Sequence, residues 1–85
     1  MDHLIATTDQ LSHVLRSVRK AQNLSQLEVG KSVGLLQKSV SVLENHPETA
    51  TIESLFKLLS ALGLELVVSP KKSGSDKVSN GDGEW

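Results

Sequence analysis

Gln37 and Lys38 stand side by side, with Ser39 and Ser41 just after them. A glutamine amide can bond an adenine edge through two hydrogen bonds, and a lysine ammonium can donate to O6 and N7 of guanine. Serine hydroxyls reach phosphates or base edges. All four also suit an ordinary solvated helix face. Other chemistry finds little material. His3, His13 and His46 lack metal-ligand spacing, no Ser/His/Asp arrangement is evident, and no glycine loop precedes a helix in phosphate-binding form. The chain has no cysteine, hence no disulfide, thiol nucleophile or thiolate metal site. No enzyme activity and no cofactor are expected.

The elements that must position Gln37 and Lys38 lie between Ser25 and Asn45. Ser25 with Glu28 three residues later is a capping box, so a helix opens there and runs from Gln26 to Val33. Gly34 can take the left-handed backbone that ends it. A second pattern resumes at once, from Gln37 to Asn45, with Val40 and Leu43 toward one core. Two helices joined by a short glycine-containing turn form a helix-turn-helix. Gly30 lies inside the first of them at about 1 kcal/mol relative to alanine, which points to close approach by a facing helix.

The flanking elements are legible in the same way. Thr7, or else Thr8, caps a first helix reaching about Gln22, in which Leu11, Val14, Leu15 and Val18 repeat at helical spacing. Asn23 is a left-handed stop, and Leu24 precedes the Ser25 cap as a hydrophobic staple for Val29. His46-Pro47 closes the third helix, because the residue before proline disfavours helix. Thr51 caps a fourth helix with an apolar stripe of Ile52, Leu55, Phe56, Leu59 and Leu62, and Gly63 ends it. Leu58 widens that stripe beyond the needs of a small core.

Leu64-Glu65-Leu66-Val67-Val68 reads as a short strand. An isolated strand has unpaired ladder groups. Pairing with the same strand of a second copy solves this and assigns Leu58, Leu64, Leu66 and Val68 to dimerisation; packing on its own helix is the other reading. From Pro70 the composition turns to Ser, Gly, Lys and Asp, too polar to offset chain entropy. The expected organisation is an arm over residues 1–7, a domain over 8–69 and a flexible tail over 70–85. The tail ends in Glu84 and Trp85, the single tryptophan, which suits anchoring in a partner's pocket. A protease-sensitive handle or an inert end are the alternatives.

Formal net charge is −1, but its distribution is uneven. From Arg16 to Lys38 there are five basic residues and one acid, Glu28; from Ser39 to Val68 four acids face Lys57 alone. A basic front of this kind is the electrostatic footprint of a polyanion partner. Arg16, Lys20 and Lys31 either add to it or are solvated charges. No apolar run approaches the roughly 20 residues of a membrane helix, and the start lacks the pattern of a signal peptide. A cytoplasmic protein is expected.

The run LSQLEVGKSVGLLQKSVSVLEN, preceded by Ser17-Val18-Arg19, resembles the DNA-binding domains of phage repressors, whose pattern is roughly LSQxELAxxxGVxxxxISxxEN. The resemblance covers about residues 9–63. It implies an all-α fold: a small helical bundle with a Cro-type helix-turn-helix. It implies that Gln26 bonds a DNA phosphate, that the start of the third helix reaches bases, and that Arg19 and Glu44 form a salt bridge, with Arg19 near phosphate as well. Two departures matter. Leu36 stands where relatives often carry a capping Thr or Ser. Val42 stands at a frequently polar base-reading position, and either contacts a thymine methyl or is an idle hydrophobe. Leu27, at a position often small or polar in relatives, is expected to be exposed.

A narrower resemblance is to the HipB-type antitoxins of HipA kinases. It rests on the β-type segment after the fourth helix, the short tail ending in Glu84-Trp85, and the local runs Gln10-Leu11, Val18-Arg19 and Phe56-Lys57. It implies a homodimer that binds palindromic operators of its own operon, represses it, and holds a HipA-like serine/threonine kinase inactive. A stand-alone phage-type repressor without a toxin is the alternative, and an adaptor without DNA affinity is a third reading.

Overall fold

The computed structural model describes residues 3–71. Four helices follow one another: α1 Thr8–Ala21, α2 Gln26–Val33, α3 Gln37–Asn45 and α4 Ile52–Ala61, with a 3-10 turn at Pro47–Thr49 before the last. None is long and apolar enough to cross a membrane.

Local chemistry accounts for most of the boundaries. The Thr7 hydroxyl accepts the Gln10 N–H at 3.1 Å. The Gln10 side chain turns back one residue further than a capping box requires, accepting the Ala6 N–H at 2.6 Å. Asn23, at φ 58°, leaves α1 in the left-handed region. The box at α2 is complete: Glu28 N–H donates to Ser25 Oγ at 3.0 Å, and Ser25 N–H donates to Glu28 Oε1 at 2.8 Å. Gly34, at φ 75°, ends α2. Leu36 gives α3 no side-chain cap. Thr51 caps α4 by accepting the Ser54 N–H at 3.0 Å.

Leu15 of α1, Val29 of α2, Val40 and Leu43 of α3 and Leu58, Leu59 and Leu62 from α4 and its end form the core. Val33, the last residue of α2, is half-buried. The buried face of α4 differs from the expected one. Leu58 is fully buried, so it is a core residue of the single chain and not a spare apolar surface. Ile52 and Phe56 are instead 67% and 51% exposed. Apolar side chains cover so much of this helix that two overlapping stripes, sharing Leu55, Leu59 and Leu62, both fit helical spacing. Packing selects Leu55, Leu58, Leu59 and Leu62.

Gly30 does answer to close approach. A Cβ there would stand 2.5 Å from the Leu35 carbonyl oxygen and 3.2 Å from Val40 Cγ2. The neighbour that forbids it is therefore the backbone of the turn, which also bonds back through Leu35 N–H to Gly30 O at 2.8 Å.

After α4, Leu64 packs against the core and its N–H donates to Leu59 O at 2.8 Å. Leu66, Val67 and Val68 are exposed. Among the described residues there is no strand. A strand needs a ladder partner, and the expectation for Leu64–Val68 places that partner on a second copy. Glu84 and Trp85 lie outside the described residues.

Candidate nucleic-acid interface

The Gly34 turn delivers α3 with its first residues outward. Gln37 and Lys38 are both exposed, while Val40 and Leu43 anchor the opposite face in the core. Because no side chain caps α3, the Gln37 and Lys38 amides stay open to an external acceptor, while Ser39 N–H donates to Leu36 O at 3.0 Å.

Glu44 fixes this helix from below. Its side chain is 1% exposed, and a buried carboxylate must be paired and hydrogen-bonded. Arg19 Nε lies 2.5 Å from Oε2, and Arg19 Nη2 lies 3.1 Å from Oε1. Arg19 Nη1 also donates to Leu24 O at 2.7 Å. Gln26 Nε2 then donates to Glu44 Oε1 at 3.1 Å. One carboxylate thus ties together α1, the start of α2 and the end of α3. The Gln26 amide has a second N–H, which is left for an acceptor outside. Arg19 is committed to Glu44 and Leu24 through all three of its nitrogens, so its role is structural.

A second bracket holds the other side of the same turn. Arg16 Nη2 donates to Glu44 O at 2.8 Å, Asn45 Oδ1 at 3.3 Å and Ser12 Oγ at 3.4 Å. The buried Ser12 hydroxyl donates to the same Glu44 carbonyl. A guanidinium here offsets the negative end of the α3 dipole. Arg16 is therefore a brace on α3, not part of a free basic surface. Neither this bracket nor the Gln26–Glu44 link was expected. The available signal was Ser12, a small polar residue between Leu11 and Leu15 on the buried stripe, one helical turn before Arg16.

The remaining site residues lie on α1, α2 and α3. Ser39 is half-buried. Ser41 accepts from Asn45 Nδ2, through its carbonyl at 2.9 Å and its hydroxyl at 3.3 Å. Lys38, Ser39 and Val42 form one wall of a dent of about 240 Å³, and residues 49–51 with Ser54 form the other. Lys20 and Lys31 are exposed, as is Leu27. Glu28 is held below the ordinary carboxylate range, first by the Ser25 backbone N–H and then by the Ser25 hydroxyl.

Two short helices joined by the Gly34 turn, the second uncapped and held to α1 through a buried ion pair, define a helix-turn-helix protein, and the helix-turn-helix family model matches residues 15–68. Within that class, the chain belongs to the HipB antitoxin family. Antitoxin HipB of Escherichia coli (strain K12) is 31% identical over 71 residues, which cover 84% of this chain and 81% of the relative. A chain of the solved HipA-HipB-O2-O3 complex superposes with a TM-score of 0.80 at 30% identity, covering 84% of this chain and all of that one. A HipB-O4 20mer complex gives 0.77 at 29% identity, covering 80% and 96%.

Proposed function

We propose that this protein is a homodimeric DNA-binding repressor and antitoxin. It binds palindromic operators of its own operon and holds a HipA-like kinase inactive by forming a complex with it. It works by binding and not by catalysis, in the bacterial cytoplasm and on the nucleoid when DNA-bound. The observation that carries the reading is the placement of Gln37 and Lys38, exposed on a helix whose far end is clamped at Glu44. A recognition helix must be rigidly held if its side chains are to tell bases apart.

In this account α3 enters the major groove. Gln37 and Lys38 read base edges, and Ser39 and Ser41 reach bases or phosphates. Gln26, Lys20 and the amides at the start of α3 contact the backbone. The two copies meet through the exposed Leu66, Val67 and Val68, joined by Ile52 and Phe56 of α4, with Leu64 seating the segment on the core. Operator half-sites read by such a dimer lie about 34–36 Å apart. Glu84 and Trp85 dock on the kinase, a large aromatic being a strong anchor for a pocket. The solved relatives that superpose on this chain include a HipA-HipB-O2-O3 complex.

The test is binding of the purified protein to a duplex from its own promoter region across a salt series. Affinity should fall steeply and linearly in log–log form as counterions are released. Binding that is absent or independent of salt would refute the DNA reading. Co-purification with the kinase, lost on removal of residues 82–85, tests the antitoxin part.

A further inference from the structure

We infer that Val42 reads the 5-methyl group of a thymine, placed within two base pairs of the base read by Lys38. This rests on the major-groove placement of α3 proposed above. Val40 and Leu43, on either side of Val42 in sequence, are core residues. Val42 is only half-buried and belongs neither to the core nor to the apolar side chains that pack on it. Its isopropyl group lines the dent beside Lys38, one helical turn away on the same face. No carboxylate lines that dent among the described residues, and Lys38 brings a positive charge to it, so a nucleic-acid edge suits it.

Of the hydroxyls lining the dent, Thr49 donates to His46 O at 2.9 Å and Thr51 to Ser54 Oγ at 2.9 Å. Val42 can neither donate nor accept a hydrogen bond. The thymine methyl is the one major-groove feature recognised without one. Side chains one helical turn apart sit about 5–6 Å from each other, and base pairs rise about 3.4 Å per step. The bases read by Lys38 and Val42 are therefore one or two steps apart.

The probe is a promoter-region duplex in which each thymine of a half-site is replaced singly by deoxyuridine, which removes only the methyl. One replacement should weaken binding about fourfold, the factor corresponding to one buried methyl-sized group. With Val42→Ala, which leaves the core untouched, that thymine and its uracil replacement should bind alike. Wild-type protein that binds every uracil duplex as tightly as the thymine duplex would overturn the inference while leaving the DNA reading intact. A thymine preference that persists in Val42→Ala would overturn the assignment to Val42. Failure to bind even the thymine duplex would overturn both.

Discussion

Arg19 and Glu44 meet at 2.5 Å, with the arginine side chain 11% exposed and the carboxylate 1% exposed. Through this contact the first helix dictates where the third one ends. Gln26 joins the same carboxylate at 3.1 Å, so the residue proposed to hold phosphate is aligned by the pair that aligns the base-reading helix.

Arg19→Leu leaves a buried carboxylate with the Gln26 amide as its one remaining side-chain partner. Stability should fall by about 3–5 kcal/mol. The double variant Arg19→Leu/Glu44→Leu should lose far less than the sum of the two single changes, because no charge is left stranded. Urea denaturation of the three proteins measures this, and additive losses would contradict a coupled pair.

Arg16→Ala removes charged hydrogen bonds to the last turn of α3. The expected cost is about 1.5–3 kcal/mol, well above the roughly 0.5 kcal/mol of an ordinary surface change. A loss within that surface range would mean that the Glu44 carbonyl does not depend on Arg16.

Glu28 gives a pH signature. Its carboxyl is held below the ordinary range by the Ser25 N–H, so the folded state releases its proton more readily than the unfolded chain. The stabilisation is present above the ordinary carboxylate pKa and is lost as pH falls through the lowered one. Wild type should therefore melt above Glu28→Gln near neutral pH, and the two should converge in acid. A difference that grows on acidification would have the wrong sign.

Much of this fold is legible in the chain because its signals are local. Ser25 with Glu28, Asn23, Gly34, Thr51 and Gly63 each mark a helix end through their own backbone or hydroxyl chemistry. The face of α4 was not legible, since Ile52, Phe56 and Leu58 are equally apolar and only packing decides among them. Around the site, Gln37 and Lys38 are exposed as their position in the motif implies. The Arg19–Glu44 pair came from family resemblance. The role of Arg16 was hidden, because its acceptor is a backbone carbonyl, which leaves no mark on residue type. The partner of Leu64–Val68 leaves no mark on residue type, and among the described residues no other segment is a strand.

Gly30 offers a test of the turn. Gly30→Val would drive side-chain atoms into the Leu35 carbonyl, where even a Cβ stands at 2.5 Å. The backbone of the turn must move, at about 1–3 kcal/mol, and α3 should shift with it. Thermal melting reads the first effect and operator affinity the second. Wild-type stability in this variant would show that the approach is not tight.

The central claim, that the start of α3 reads bases, is tested most directly by measuring Gln37→Ala against a promoter-region duplex and a set of single base-pair variants at constant salt. The account predicts that binding weakens by about 1–3 kcal/mol on the original duplex and that discrimination disappears at one position of each half-site. Unchanged relative affinities across the whole set would contradict it.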